Sequence, residues 1–325
     1  MEDRAMAKLT RRAVLAGALA MPGIARAQSQ WPSGVVTLVV PAPAGGSVDI
    51  VARLVQPGLQ QRLGTPVIVE NRSGGATSIG AAYVAKAARD GSKWLINADP
   101  QALNPAFMSS MPFDTEKDLE PVLLVGTSPN VLAANPSTAY RTLADVLEDA
   151  RKPAGLSFAV IADTLALVSM VLLNKLAAAH FTPVPYRSAT QAITDTMGGH
   201  LGLVAGSASL LAPYFKTGQL RPIMQTGAQR HPALQELPTV SESGFPGFNA
   251  VSFWGFYAPS GTQPAIVERF VADLTATLRE PEITTRLRSM LIDPKFDGPA
   301  LFRAFFSDQL KTWGAVVRDN GLQAK

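Results

Sequence analysis

The chain has 325 residues, more than a single hydrophobic core ordinarily serves, so two domains are expected. Apolar side chains make up 47% and charged ones 17%, which excludes a disordered chain; the lack of cysteine excludes disulfides, thiolate metal sites and a cysteine nucleophile. The +4 formal charge sits largely in residues 1–27: without their five basic and two acidic side chains, 24 basic and 23 acidic remain, so no nucleic-acid partner is implied.

Residues 1–27 read as a signal peptide. Lys8, Arg11 and Arg12 form a basic region, Ala13 to Ala20 is apolar and uncharged, and Ala25-Arg26-Ala27 is a small-x-small cleavage site. The apolar run is too short to span a bilayer, so an exported, periplasmic chain is expected. Arg11-Arg12 fits either a twin-arginine or an ordinary Sec signal.

The apolar run Val35 to Val40 predicts a buried strand, and Ser47 opens a helix with Ile50, Val51, Leu54 and Val55 on one face. Pro57-Gly58 predicts a kink or break in that helix. Val67 to Val69 and Trp94 to Ile96 read as strands around a small-residue helix from Ile79 to Ala88. This alternation predicts a mostly parallel sheet with covering helices.

Val122 to Val125 and Val131 to Ala134 read as two runs separated by Thr127-Ser128-Pro129-Asn130. Thr142 to Asp145 has the form of a capping box. Strands are predicted at Leu156 to Ile161, Val184 to Tyr186, Leu201 to Val204 and Leu220 to Met224. Helices are predicted from Thr164 to Ala179, apolar nearly all round, and from Ala189 to Met197. Arg230 to Phe248 reads as a long surface connection with His231 exposed. Val251 to Ala258 is strand-like, Pro264 starts a helix, and a final helix stops at Asn320-Gly321. The runs near 122–134 and 251–258 could carry the chain across and back between lobes.

The sharpest motif is Pro41-Ala42-Pro43-Ala44-Gly45-Gly46-Ser47-Val48-Asp49, between the first strand and its helix. Its glycines permit close backbone approach, and the helix start turns unpaired N–H groups outward with the positive end of the dipole behind them. Such a loop binds a carboxylate or phosphate without a charged side chain, or is a plain turn with Ser47 as cap. Asp49 either joins the site or only complements the dipole. The glycine-rich stretch Asn71 to Gly80 fits neither a Walker A loop nor a GxGxxG fingerprint and reads as a turn.

Taken in order, these residues resemble the Bug family, the extracytoplasmic solute receptors of tripartite tricarboxylate transporters. The resemblance rests on Trp31-Pro32, the Pro41 to Asp49 loop with Ala52-Arg53, Asn71-Arg72, Ile79-Gly80, Asp90-Gly91, Asn104-Pro105 and Lys117-Asp118. It continues through Thr127 to Asn130, Val184-Pro185-Tyr186, Gly198-Gly199, Gly218 to Arg221, Leu237 to Val240, Gly244 to Phe248, Trp254-Gly255 and Ala258 to Thr262. It implies a type II periplasmic-binding-protein fold, two α/β lobes joined by two crossing strands with the ligand cleft between them. The lobes would be residues 28–131 plus 252–325, and 132–251.

The resemblance further implies capture of a small carboxylate through backbone amides and waters at one strand–helix loop per lobe, and delivery by a monomer to the membrane subunits of such a transporter. Carried onto this chain, the ligand-binding set is Ala42, Pro43, Ala44, Gly45, Gly46, Ser47 and Asp49 in the first loop, Asp163, Thr164 and Leu165 in the second, with Ser128, Tyr186 and Ser207. Ser128 and Ser207 read equally well as turn residues. Arg187 is expected in solvent, and Phe253 and Trp254 in the hinge core.

The second loop departs from the family pattern. It lacks the usual Gly and Ser, Val168 stands near a customary His, Gly202 replaces an Asp, and Gly206-Ser207 replaces an Asp-Asn pair. Fewer polar groups then converge from that lobe, which favours a ligand with one well-held carboxylate and an apolar or aromatic body over citrate; otherwise the loop has lost its grip.

No cofactor, metal or catalytic set is expected. The histidines His180, His200 and His231 form no metal-spaced pair, and no GxSxG elbow occurs. A periplasmic ligand sensor for a signalling partner and an α/β hydrolase remain the alternative readings.

Overall fold

The computed structural model describes residues 31–186 and 188–323; the signal-peptide reading and Arg187 lie outside them. The first lobe is built from β1 (Val36–Val40), α1 (Ser47–Leu63), β2 (Val67–Asn71), α2 (Ser78–Ala85), β3 (Lys93–Ala98) and α3 (Pro100–Phe107), leading into the long strand β4 (Leu119–Ala134). The second comprises α4 (Leu143–Ala150), β5 (Leu156–Ile161), α5 (Leu165–Ala177), β6 (Phe181–Tyr186), α6 (Ala189–Met197), β7 (Leu203–Ser207), α7 (Ala208–Lys216) and β8 (Arg221–Gln225). The chain returns through β9 (Val251–Pro259) to α8 (Pro264–Leu278), α9 (Pro281–Ser289), β10 (Asp293–Asp297) and α10 (Pro299–Asp319).

In the first lobe β1 pairs in parallel with β2 and β3, while β9 runs antiparallel between β3 and β4. In the second, β5 pairs in parallel with β6 and β7. β4 serves both sheets: Leu119 to Pro129 pairs with β9, and Asn130 to Ala134 pairs with β7. The two lobes are thus stitched by β4 and β9, with a cleft between the strand ends that carry the helix-starting loops. Such strand ends are where open α/β sheets bind ligands.

Strands buried on both faces explain the unbroken apolar runs that mark them in the sequence. β1 is buried throughout, and Trp94 of β3 stacks on Phe270 of α8 with ring centroids 3.6 Å apart. The capping box forms as expected: Thr142 accepts from the Asp145 amide while Asp145 reaches back to the Thr142 amide, fixing the start of α4.

Four expectations need correction. α1 is not broken at Pro57; the helix runs on because Val55 before it and Leu59 and Leu63 beyond it are held in the core. The runs around 122–134 form one strand, since β9 supplies partners across Thr127 to Pro129 and β7 takes over at Asn130. The Arg230 to Phe248 connection buries Leu237, Val240 and Phe248, so it is not merely superficial. His231 is buried rather than exposed: its amide donates to the Gln225 side chain at 2.8 Å, and its Nδ1 accepts from the Ala233 amide at 3.1 Å.

The lobes also share two helices. Phe302 and Phe306 of α10 pack in the first lobe, whereas Trp313 and Val317, about two to four turns on, pack with Leu103 and Phe107 of α3 in the second-lobe core. The hinge strands therefore work alongside a bridging helix pair.

Candidate functional site

The first loop owes its shape to Asp49. Gly45 takes a left-handed conformation (φ 83°), which glycine adopts without strain, and its amide donates to Asp49 Oδ2 at 2.9 Å. Asp49 Oδ1 accepts from Asn71 Nδ2 at 2.9 Å, and Arg53 Nε closes the set at 3.0 Å. Burial acts to raise the Asp49 carboxyl, but Arg53, the Gly45 amide and Asn71 outweigh it and hold the group below its ordinary value. Asp49 is thereby ionised and fully engaged, only 3% exposed, and its side chain does not line the cavity.

What this brace leaves free is the mouth of α1. The Ser47 and Val48 amides lie in the first turn, where no residue four positions earlier can accept from them within the helix. Neither has a hydrogen-bond partner among the described residues. The Ser47 hydroxyl is held by the Trp254 indole N–H at 3.3 Å, which orients the helix start against β9.

The second loop is organised differently. Asp163 adopts a left-handed conformation (φ 55°), strained for a residue with a Cβ, and turns the chain into α5. Thr164 occupies the cap position, yet its hydroxyl donates to the Ile161 carbonyl at 2.8 Å instead of capping α5. The vacated role falls to another lobe: the Leu165 amide donates to Asp99 Oδ2 at 3.0 Å.

Asp99 itself precedes α3, where an aspartate ordinarily caps its own helix. Its helical backbone (φ −49°, ψ −29°) departs from the extended cap conformation, and it caps α5 across the cleft instead. Burial pushes its carboxyl above the ordinary range, a rise that the Leu165 amide, its own amide and the Ser252 hydroxyl only partly offset. Nearby Tyr257 has its phenol pushed up by burial and by the Asp99 charge.

Between the loops lies a cavity of about 310 Å³, bordered by Ala42, Pro43, Gly46, Ser47 and Val48 on one side and by Ile161, Thr164, Ala166, Ala189, Ala205, Gly206, Ser207 and Leu210 on the other. Thr77, Asn97, Ala98, Asp99, Pro100, Asn130, Ser252 and Trp254 form its floor and edges. Among these lining residues Asp99 is the one acid, and there is no lysine, arginine or histidine. The walls are small and apolar, and the size is at the lower end of the roughly 300–1,000 Å³ usual for small-ligand pockets. Among the described residues no cluster of three or more potential ligands could hold a metal ion.

The structure thus brings Ala42, Pro43, Gly46, Ser47, Thr164 and Ser207 together around one cavity. Ala44 and Gly45 are exposed beside it, and Asp49 serves the loop. Ser128 is buried with its hydroxyl turned toward the Pro129 carbonyl, and Tyr186 donates its hydroxyl to Asp195 at 2.7 Å; neither lines the cavity. Asp163 is half-buried and Leu165 fully buried, both outside the lining, and the Leu165 amide donates to the cavity-lining Asp99. Val168, near the customary histidine position, is wholly buried in α5. Trp254 is both core and cavity edge.

Sequence reasoning missed Asp99, Asn97, Asn130, Thr77 and Ser252. For Asp99 a signal existed in Ala98-Asp99-Pro100, an acid at a strand end just before a helix-starting proline. Its cross-lobe partner had none.

Comparison with known proteins follows the same lines. The family model "Tripartite tricarboxylate transporter family receptor" matches residues 51–322. The chain is 32% identical to a UPF0065 protein in the tcbD-tcbE intergenic region of Pseudomonas sp. strain P51, covering 98% of this chain and 97% of the relative. It is 30% identical to protein BugT of Bordetella pertussis, over 96% and 98%. Among solved structures, R. palustris Rpa4515 with adipate superposes with a TM-score of 0.82 at 31% identity, covering 90% of this chain and 98% of that one. MatC from Rhodopseudomonas palustris with bound malate gives 0.77 at 26%, covering 88% and 100%.

Proposed function

The chain belongs to the receptor family of tripartite tricarboxylate transporters, the Bug proteins, and from that premise we propose that it is an exported periplasmic receptor for a small carboxylate with an apolar or aromatic body. In this reading the signal peptide over residues 1–27 directs export, and the loaded protein works as a monomer that hands its ligand to the membrane subunits of a tripartite transporter. The lobes divide at 131/132 and 251/252. Binding of adipate by one solved relative and malate by another supports the carboxylate class.

The observation that carries the proposal is the pair of unpartnered amides, Ser47 and Val48, opening from α1 onto an apolar cavity. A carboxylate there meets two N–H donors and the positive end of a 17-residue helix. Charge-assisted hydrogen bonds of this kind contribute about 1.5–3 kcal/mol each in a water-poor site. The small apolar walls then reward a hydrocarbon body rather than further polar groups. The ligand shifts the lobes toward the closed form only by binding it more tightly, and Ser207 and Thr164 belong to the second-lobe wall that closure brings to it.

A thermal-shift screen over aliphatic and aromatic carboxylates tests this. A ligand at 100 times its Kd stabilises the folded state by about 2.7 kcal/mol, which moves the melting temperature by a few degrees. Carboxylates with apolar bodies should give the shifts. Stabilisation confined to citrate-like tricarboxylates, or turnover of any of them, would contradict the proposal.

A further inference from the structure

The carboxylate-receptor reading leaves Asp99 unexplained. A buried acid with no cation beside it is costly, and a ligand-gripping cavity for anions is a poor location for one. Its neighbours give no compensation by charge: the cavity-lining residues described include no base, and the group that feels Asp99 most directly is the Tyr257 phenol. Its one strong contact is with the Leu165 amide, at 3.0 Å, at the start of the 13-residue helix α5.

That amide has the same character as those of Ser47 and Val48: a first-turn donor with a positive dipole behind it, between Thr164 and Ala166, which line the far wall of the same cavity. A ligand with carboxylates at both ends would place one on α1 and the other on α5. At α5 the first of these donors, the Leu165 amide, is already taken by Asp99, and a second anion brought beside Asp99, which itself lines the cavity, meets like-charge repulsion in apolar surroundings, where such a juxtaposition costs several kcal/mol. Thr164 does not relieve this, because its hydroxyl is committed to the Ile161 carbonyl.

We infer that Asp99 is the specificity-determining residue of this cavity: it stands in for a ligand's second carboxylate on α5, so the protein selects monocarboxylates over dicarboxylates of equal length. The inference rests on the carboxylate-receptor reading above and deepens it. It also separates this chain from the adipate- and malate-bound relatives, whose ligands carry two carboxylates.

The test uses pairs matched in carbon number: butyrate with succinate, hexanoate with adipate, and octanoate with suberate. Each is titrated calorimetrically at neutral pH into the wild-type protein, Asp99→Asn and Asp99→Ala. Wild type should prefer the monoacid of the pair that fits by more than about tenfold. Asp99→Asn, which keeps an acceptor for Leu165 but loses the charge, should shrink that preference about tenfold. Asp99→Ala, which frees the Leu165 amide, should shrink it further or reverse it. Because the readout is a ratio within one protein, a general loss of stability leaves it interpretable, and Asp99→Asn serves should the alanine variant fail to fold. A wild type that prefers diacids, or a ratio unmoved by both substitutions while carboxylates still bind, overturns this inference alone. If none of the six acids binds any of the three proteins, the carboxylate reading falls and the inference with it.

Discussion

Asp49 and Asp99 are both buried aspartates beside helix starts at the cleft, and their surroundings sort them into opposite states. Asp49 has a guanidinium, a side-chain amide and a backbone amide within 3.1 Å, and its carboxyl is held below the ordinary range. Asp99 has a backbone amide from the other lobe and no cation, and burial raises it. The first aspartate shapes a loop and leaves the α1 amides open. The second blocks the equivalent amide of α5. The first amides of two helices of similar electrostatic character therefore differ: that of Ser47 is left free, and that of Leu165 is taken by Asp99.

The largest expected effect comes from removing the better-paired group. Asp49→Ala leaves the Gly45 amide, Asn71 and Arg53 without their shared acceptor, and should destabilise the fold by about 2–4 kcal/mol in urea denaturation. Part of that cost is tempered because Arg53 is half exposed and can turn to water. Loss below about 0.5 kcal/mol would mean the loop does not depend on this brace.

A smaller effect distinguishes the two by pH. The folded-state value of Asp49 is depressed, so its stabilising contribution is present at neutral pH and fades as the pH falls through that value. That of Asp99 is raised, so the folded protein binds the proton more tightly than the unfolded chain, and its penalty at neutral pH is relieved as the pH falls through the folded value toward the ordinary value of about 4. Between pH 4 and 7.5, the stability of Asp99→Asn relative to wild type should therefore drift in the variant's favour as pH rises, by about 1.4 kcal/mol per unit that the group is raised. Urea melts across that range measure it, and a drift in the opposite direction would show that the folded protein holds Asp99 below its ordinary value rather than above it.

Much of this contrast was hidden from the sequence for a physical reason. The first loop is legible because its glycines, its flanking strand and its helix start are contiguous, and so is the Thr142 capping box. β5 and α6 follow from local pattern alone. α3 escaped notice because Pro105 lies within its eight residues, and α7 because Pro213 lies within its nine; both persist on tertiary packing. β4 was split in two by its polar centre, which is satisfied only by strands far along the chain. The Asp99–Leu165 contact joins residues 66 apart through the closing of two lobes, and no periodicity encodes such a meeting.

The decisive measurement concerns the open helix. Gly46 is extended (φ −73°, ψ 166°), a conformation suited to the residue before proline, and Ser47 is the first helical residue, where proline is well tolerated. Ser47→Pro thus deletes one gripping amide with little disturbance to the fold, while Ser47→Ala deletes only the hydroxyl. Calorimetric titration of a bound carboxylate should show affinity falling by about tenfold or more in the proline variant, and by much less in the alanine variant. Equal affinity in the proline variant and wild type, with both proteins folded, would contradict the claim that backbone amides at this helix mouth hold the ligand.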